Sequence, residues 1–174
     1  LVGNPDTAAA LELTVNGPRL RFNTAAVVAL TGAHMPATLD GKPIAFHRAF
    51  RIKRGQTLQL ASVDGPGLRA YLAIRHGLDV PDYLGSKSTF TLGLFGGHSG
   101  RALRTGDVLR VNRATPAGVT DAAPLLRAPA SIHSPLTRDW DIGVLYGPHG
   151  APDFFTNDDI AALFSAIYEV HYNS

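Results

Sequence analysis

Leu11-Glu12-Leu13-Thr14-Val15-Asn16-Gly17-Pro18-Arg19-Leu20-Arg21-Phe22 decides how the rest of the chain is read. Apolar and polar residues alternate on both sides of Asn16-Gly17, as half-buried strands do when successive side chains point to opposite faces. Asn-Gly between two such runs is a strong hairpin signal, because both residues tolerate the positive φ of a tight turn. The stretch predicts a β-hairpin. The same pattern continues outward. Ala25 to Leu30 is a short apolar run closed by Thr31-Gly32, and Leu39-Asp40-Gly41-Lys42 is a turn leading into Pro43-Ile44. Gly55-Gln56-Thr57-Leu58-Gln59-Leu60 shares its order of residue types with Gly106-Asp107-Val108-Leu109-Arg110-Val111, each with an arginine just upstream, Arg54 or Arg104. Both read as a turn launching a strand, and together they predict similar strand starts in one closed or sandwiched sheet.

Composition supports a mostly β chain. Of 174 residues, 45% are hydrophobic and 17% charged, which excludes a disordered tail or a coiled coil. The 18 glycines and 12 prolines are more than a helical bundle tolerates. No apolar run approaches the ~20 residues of a membrane span. The start, Leu1-Val2-Gly3-Asn4-Pro5, lacks an initiator Met and the charged-then-apolar order of a signal peptide, so the expectation is a soluble, trimmed, cytoplasmic chain. The absence of cysteine excludes disulfides, thiolate metal sites and thiol nucleophiles, and suits that compartment.

Charge is uneven. Residues 1–41 carry 2 basic and 3 acidic groups, residues 42–113 carry 12 and 4, and residues 114–174 carry 2 and 7. The middle is therefore basic and the end acidic. Only Lys42, Lys53 and Lys87 are lysines, and arginine suits forked recognition of carboxylate or phosphate, so a small anionic ligand is one reading. A solvated face, or pairing with the acidic end, is the other. Aromatic residues are not interleaved with the cations and no recognition module is visible, which argues against nucleic acid.

The expected organisation is a β-barrel-like domain over 1–113, a linker or surface excursion over 114–137, and an incomplete strand-helix-strand unit over 138–174. In the last, Asp141 to Tyr146 reads as a strand and Tyr168 to Tyr172 as another. Between them Thr156 and Asp159 form a capping-box signature, and Ile160, Leu163, Phe164 and Ile167 recur at helical spacing. So short a unit cannot bury its own faces and has to pack on something else.

Two stretches carry candidate chemistry. Around Arg69-Ala70-Tyr71-Leu72-Ala73-Ile74-Arg75 a period of two puts Leu68, Ala70, Leu72 and Ile74 on a core face and Arg69, Tyr71 and Arg75 on the other. Two guanidiniums flanking a phenol could hold a carbonyl or carboxylate, or simply stack in solvent. The second stretch is Leu84-Gly85-Ser86-Lys87-Ser88-Thr89 with Gly96-Gly97-His98-Ser99-Gly100-Arg101. Glycines let backbone N–H groups approach a ligand, and hydroxyls donate or accept as it requires; equally, Ser and Thr at turns cap local backbone. It is no P-loop, lacking a glycine directly before Lys87, and no nucleophile elbow, because Arg101 stands where glycine is needed. The seven histidines, His34, His47, His76, His98, His133, His149 and His171, show no ligand spacing, so no metal site is expected and each reads as a surface or hydrogen-bonded residue. Asp64, Asp82 and Asp107 sit beside Gly or Pro, Asp79 lies two residues from both Gly77 and Pro81, and all four read as turn formers.

The order of these motifs resembles the second subunit of bacterial allophanate hydrolase, in the biotin-dependent carboxyltransferase family that also includes a subunit of the ATP-dependent 5-oxoprolinase. Leu30-Thr31-Gly32-Ala33, Ala37 to Gly41, Gly67-Leu68-Arg69-Ala70-Tyr71-Leu72-Ala73 and Gly77-Leu78-Asp79-Val80-Pro81 carry the resemblance. It continues through Leu84 to Thr89, Gly97 to Arg101, Gly106 to Leu109, and Tyr146-Gly147-Pro148 with Phe155. The resemblance implies a cyclophilin-like β-barrel fold. It also implies a composite site shared with a homologous first subunit in a heteromer, and a small amide, lactam or urea-type substrate. Catalytic roles then fall to Arg69, Tyr71 and Ser88, and substrate binding to Ser86, Lys87, Thr89, Gly96, Gly97 and Arg101. ATP or carrier-borne biotin is implied only through the complex: there is no Ala/Val-Met-Lys-Met motif, and Met35, the one methionine, precedes Pro36. His76 stands where the family has glycine. Lys87 replaces the arginine of Gly-Ser-Arg-Ser-Thr and so loses the fork. A noncatalytic scaffolding or regulatory subunit is the alternative reading, favoured by the absence of an obvious nucleophile or acid/base pair.

Overall fold

The computed structural model describes residues 1–112 and 124–169. Among the described residues eight strands form: β1 (Leu11–Thr14), β2 (Arg19–Arg21), β3 (Ala26–Gly32), β4 (Ala37–Leu39), β5 (Lys42–Pro43), β6 (Ala49–Ile52), β7 (Thr57–Leu60) and β8 (Arg69–Ile74). They make two four-stranded sheets, ordered β1-β8-β3-β6 and β2-β7-β4-β5, with every pair antiparallel. The mostly β reading holds. Except at the short β4–β5 hairpin, each successive strand up to β7 lies in the other sheet from the one before, and β8 returns to the first sheet.

That alternation overturns the hairpin expected around Asn16-Gly17. β1 and β2 lie in different sheets, and the Asn-Gly pair carries the chain between them. Val15 takes the positive φ of 60°, the Gly17 amide donates to Ala61 O at 3.1 Å, and the Val63 amide donates to Val15 O at 2.8 Å. The crossing is thus pinned to the segment after β7. β2 instead pairs with β7, placing Leu20 opposite Leu58.

Facing side chains of the two sheets form the core. Val28, Leu30, Ile52, Leu72 and Ile74 from the first sheet meet Leu58 and Leu60 from the second, with Phe22 and Met35 from the connections. Burying each such side chain is worth about 1.5–3 kcal/mol. Val27, Ala29 and Ala49 form a smaller cluster with Val2 on the opposite face of the first sheet. β3 is covered on both sides, which is why its sequence is a continuous apolar run rather than an alternating one.

The sheets do not close into the expected barrel among the described residues. Their edges are terminated instead. β5 is two residues long and contains Pro43, which lacks an amide donor, and β2 displays Arg19 and Arg21. β6 is capped by residues 126–128: the Ala49 amide donates to Leu126 O and the Ala128 amide to His47 O, both at 2.8 Å. Gly106 to Val111, expected as a strand, forms only an isolated bridge between Leu78 and Val111.

Two compact units divide the chain at Leu1–Arg138 and Asp139–Ser174. Within the expected linker, 114–123 lies outside the described residues, while 124–137 belongs to the first unit. In the second unit α1 (Asn157–Ser165) has the expected capping box, with the Thr156 amide donating to Asp159 Oδ2 at 2.8 Å and the Asp159 amide to Thr156 Oγ1 at 3.2 Å. Asp141 to Tyr146 is not a strand; no described strand pairs with it, and Leu145 is 97% exposed. Tyr168 and Glu169 are not in a strand either, and the rest of that expected element lies outside the described residues. No described helix is long and apolar enough to cross a membrane.

Candidate functional site

Within β8 the expected division holds, with Ala70, Leu72 and Ile74 buried and Arg69 and Tyr71 on the outer face, but Leu68, expected on the core side, precedes the strand and is half exposed. Arg69 is held by the neighbouring strand, its Nε donating to Glu12 Oε1 at 3.0 Å. Arg75, expected beside the phenol, is only 3% exposed and donates from Nε to Val2 O at 3.1 Å. The polypeptide before β1 covers that end of the sheet, which removes Arg75 from the exposed face.

Tyr71 lies opposite Thr31 of β3 and lines a cavity of about 790 Å³. Gly32, at the end of β3, has φ 89°, and a Cβ there would stand 2.6 Å from Arg69 O. Glycine therefore permits the close approach of β3 to β8 at the cavity wall. The remaining wall comes from His34, Asp64 and the segment 126–136, including Arg127 and His133.

Three histidines, His34, His47 and His133, line this cavity. His34 packs at 5.5 Å from the Phe46 ring, Phe46 at 6.1 Å from His47, and His47 stacks on His133 at 3.9 Å with 26° between planes. Burial, and then the neighbouring His133, hold the His47 pKa below the ordinary histidine value. Nε2 of His133 is sealed from solvent without a hydrogen-bond partner. Asp64 is the acid among the lining residues, its Oδ2 4.0 Å from His34 Nδ1. No described group of three His, Asp or Glu is arranged to hold a metal. Three histidines far apart in sequence thus share one cavity. No local spacing announces them; pairing of β3 with β6 brings His34 and His47, each just beyond a strand end, to the same edge.

The glycine- and hydroxyl-rich stretch makes a second, self-contained constellation. Tyr83 bridges Ser86 and Phe90 bridges Phe95. The Ser88 amide donates to Ser86 Oγ at 3.1 Å, and Lys87 Nζ donates to Thr7 O at 3.2 Å. Gly96 and Gly97 lie directly over Ser88 and Thr89, where a Cβ would run into Ser88 O and Thr89 Oγ1. Arg101 grips Asp107 with both terminal nitrogens at 2.7 and 2.8 Å, and the Arg104 amide adds a bond at 2.8 Å. Those bonds, Arg101's foremost, hold the Asp107 carboxyl well below the usual carboxylate range, and Arg101 is raised in turn. Ser86, Ser88, Thr89, Gly96 and Gly97 are thus brought together, with Lys87 and Arg101 tied to protein acceptors. Of the nine nominated residues Tyr71 lines the large cavity. A smaller hollow of about 290 Å³ is lined by Asp79, His98 and Arg110, among others.

Known proteins supply an independent measure. A family model described as carboxyltransferase domain, subdomain A and B, matches residues 1–174. Urea amidolyase of Lachancea kluyveri is 43% identical over 179 aligned residues, covering all of this chain and 10% of that protein. A 5-oxoprolinase subunit of Escherichia coli is 40% identical over 113 residues, 65% of this chain and 36% of that one. The crystal structure of Kluyveromyces lactis urea carboxylase superposes with a TM-score of 0.87 at 42% identity, covering 99% of this chain and 16% of that one. The chain therefore spans a small share of the length of each of these relatives.

Proposed function

The chain belongs to the carboxyltransferase-domain family, subdomains A and B, and from that premise we propose that it supplies one wall of a composite site acting on a small amide, lactam or urea-type nitrogen compound. The Tyr71 cavity carries the reading, because it joins an apolar wall from Leu126, Ile132 and Leu136 to hydrogen-bonding groups from His34, Tyr71 and Arg127. Such a lining suits a planar ureido or amide group, with Tyr71 and Arg127 orienting its carbonyl and the apolar wall excluding water. A homologous first subunit or domain would complete the site, a reading supported by the kinship with one subunit of a multi-subunit 5-oxoprolinase. Biotin, delivered on another protein, would supply an N-carboxyl group; ATP would be used elsewhere in the assembly. We place that assembly in the cytoplasm, consistent with a chain without cysteine.

The scaffolding alternative has one observation behind it. Arg69, Lys87 and Arg101 already hold Glu12, Thr7 O and Asp107, so their donors are partly spent within the protein. Turnover and assembly measured separately in the intact enzyme decide between the two. Tyr71→Phe is expected to lower kcat/KM by about 10²-fold, the scale of losing one positioned donor, with the complex intact. Full activity in that variant would overturn the catalytic assignment, and loss confined to assembly would establish the scaffold.

A further inference from the structure

The segment 126–136 closes the large cavity without belonging to either sheet. Two backbone hydrogen bonds fasten it to the β6 edge, from Ala49 N to Leu126 O and from Ala128 N to His47 O, and Ala128 is its one buried side chain. The third fastening is the stack of His133, on the segment, upon His47, on the sheet side. We propose that residues 126–136 form a proton-gated strap, closed over the cavity while the His47 and His133 rings stack uncharged and released when the pair takes up a proton.

Geometry sets the direction of the response. Rings 3.9 Å apart leave no room for a solvating water between them, and the sealed Nε2 of His133 has no acceptor beside it. The surroundings give a new positive charge little compensation. From the β3 end comes His34, from β8 the neutral Tyr71 phenol, from the strap Arg127, and from the first residue the Leu1 amino group. Asp64 alone among the lining residues is acidic, and its carboxylate faces His34. Burial already favours the neutral form of His47 in the closed arrangement. Once the strap lifts, the His47 ring returns to water, where imidazole titrates near about 6.5. The open form therefore binds more protons as pH falls below that value, so closure is favoured above it and lost through the acid side. Histidine pairs acting on a two-state element are an established physical route to such switches. What the strap admits rests on the function proposed above; the strap's motion does not.

Amide hydrogen exchange on the intact protein tests this, with the Ala49 and Ala128 amides as reporters and the β3–β8 amides as the folding control. After correction for intrinsic exchange, protection at Ala49 and Ala128 is expected to fall at least about tenfold between about pH 7.5 and about pH 5.5, with the control unchanged. His47→Phe combined with His133→Phe keeps two stacked rings without a titrating nitrogen, and protection there is expected to be independent of pH. Protection that does not respond to pH in the natural protein, or a response that survives in the double variant, would overturn the strap. If the double variant also loses β3–β8 protection, His47→Gln combined with His133→Gln replaces it, and a retained response in that variant is equally decisive. Because no turnover is measured, failure here and failure of the functional proposal remain separate results.

Discussion

Residues 55–60 and 106–111 present the same order of residue types, yet they occupy opposite kinds of environment. The first stretch becomes β7, flanked by β2 and β4, and its Leu58 is wholly buried. The second is bonded to residues 77–79, outside both sheets, and its Leu109, the counterpart of Leu58, is only partly buried against the core. What separates them is company. β7 finds a strand on each side, so its alternation is rewarded at every residue, whereas the later stretch is held at its start by the Asp107 carboxylate and further on by the Asp79 amide donating to Arg110 O and the Asn112 amide donating to Gly77 O. Alternation proposes a strand; partners on both edges make one.

Substitutions sharpen that contrast in order of size. Leu58→Ala is expected to cost about 2–5 kcal/mol in denaturant unfolding, as emptied core positions do. Next, Gly100→Ala would drive a Cβ into the backbone of Leu94 and Phe95 at a φ of 65°. A local penalty of about 1–3 kcal/mol should appear as lost amide protection at Phe90 and Phe95 while β7 stays protected. Asp107→Asn should release the Arg101 fork and expose the Arg104 amide to exchange, with β7 unaffected. The acid response follows from the same carboxylate: its folded pKa is depressed, so its contribution is complete above the ordinary carboxylate range and is lost only as pH falls through the lowered value. In an acid titration the 101–107 turn should outlast any carboxylate titrating normally. Smallest is Val108→Ala, expected within about 0.5 kcal/mol of neutral. A Leu109→Ala loss matching that of Leu58→Ala would erase the distinction between the two hexapeptides.

Legibility in the sequence follows the range of the interactions. The two faces of β8 are readable because Ala70, Leu72 and Ile74 alternate with Arg69 and Tyr71, and the start of α1 is readable because Thr156 and Asp159 satisfy each other three residues apart. Asn16-Gly17 misleads, since a turn signal says where a chain reverses and not which strand it then pairs with. Asp141 to Tyr146 misleads for a related reason, having strand-like residues and no described neighbour. The candidate site is half visible. Periodicity points to Tyr71, but His34, His47 and His133 are joined only through strand pairing and a segment that looks like linker. Arg75 reads as part of the exposed face because nothing in its own strand reveals that Val2 lies across it.

The order of strands in the first sheet also bears on how the polypeptide is made. β8 is the last of the described strands in chain order, yet it sits between β1 and β3. A ribosome that has delivered everything through Leu60 has released seven of the eight described strands, and β1 still lacks the one described strand it pairs with. Until Ile74 emerges, Val28 and Leu30 lack their cross-strand partners on β8. Each nascent molecule therefore passes through an interval in which greasy, unpaired strand is displayed to solvent or to a chaperone, and slow elongation through residues 61–74 would prolong it.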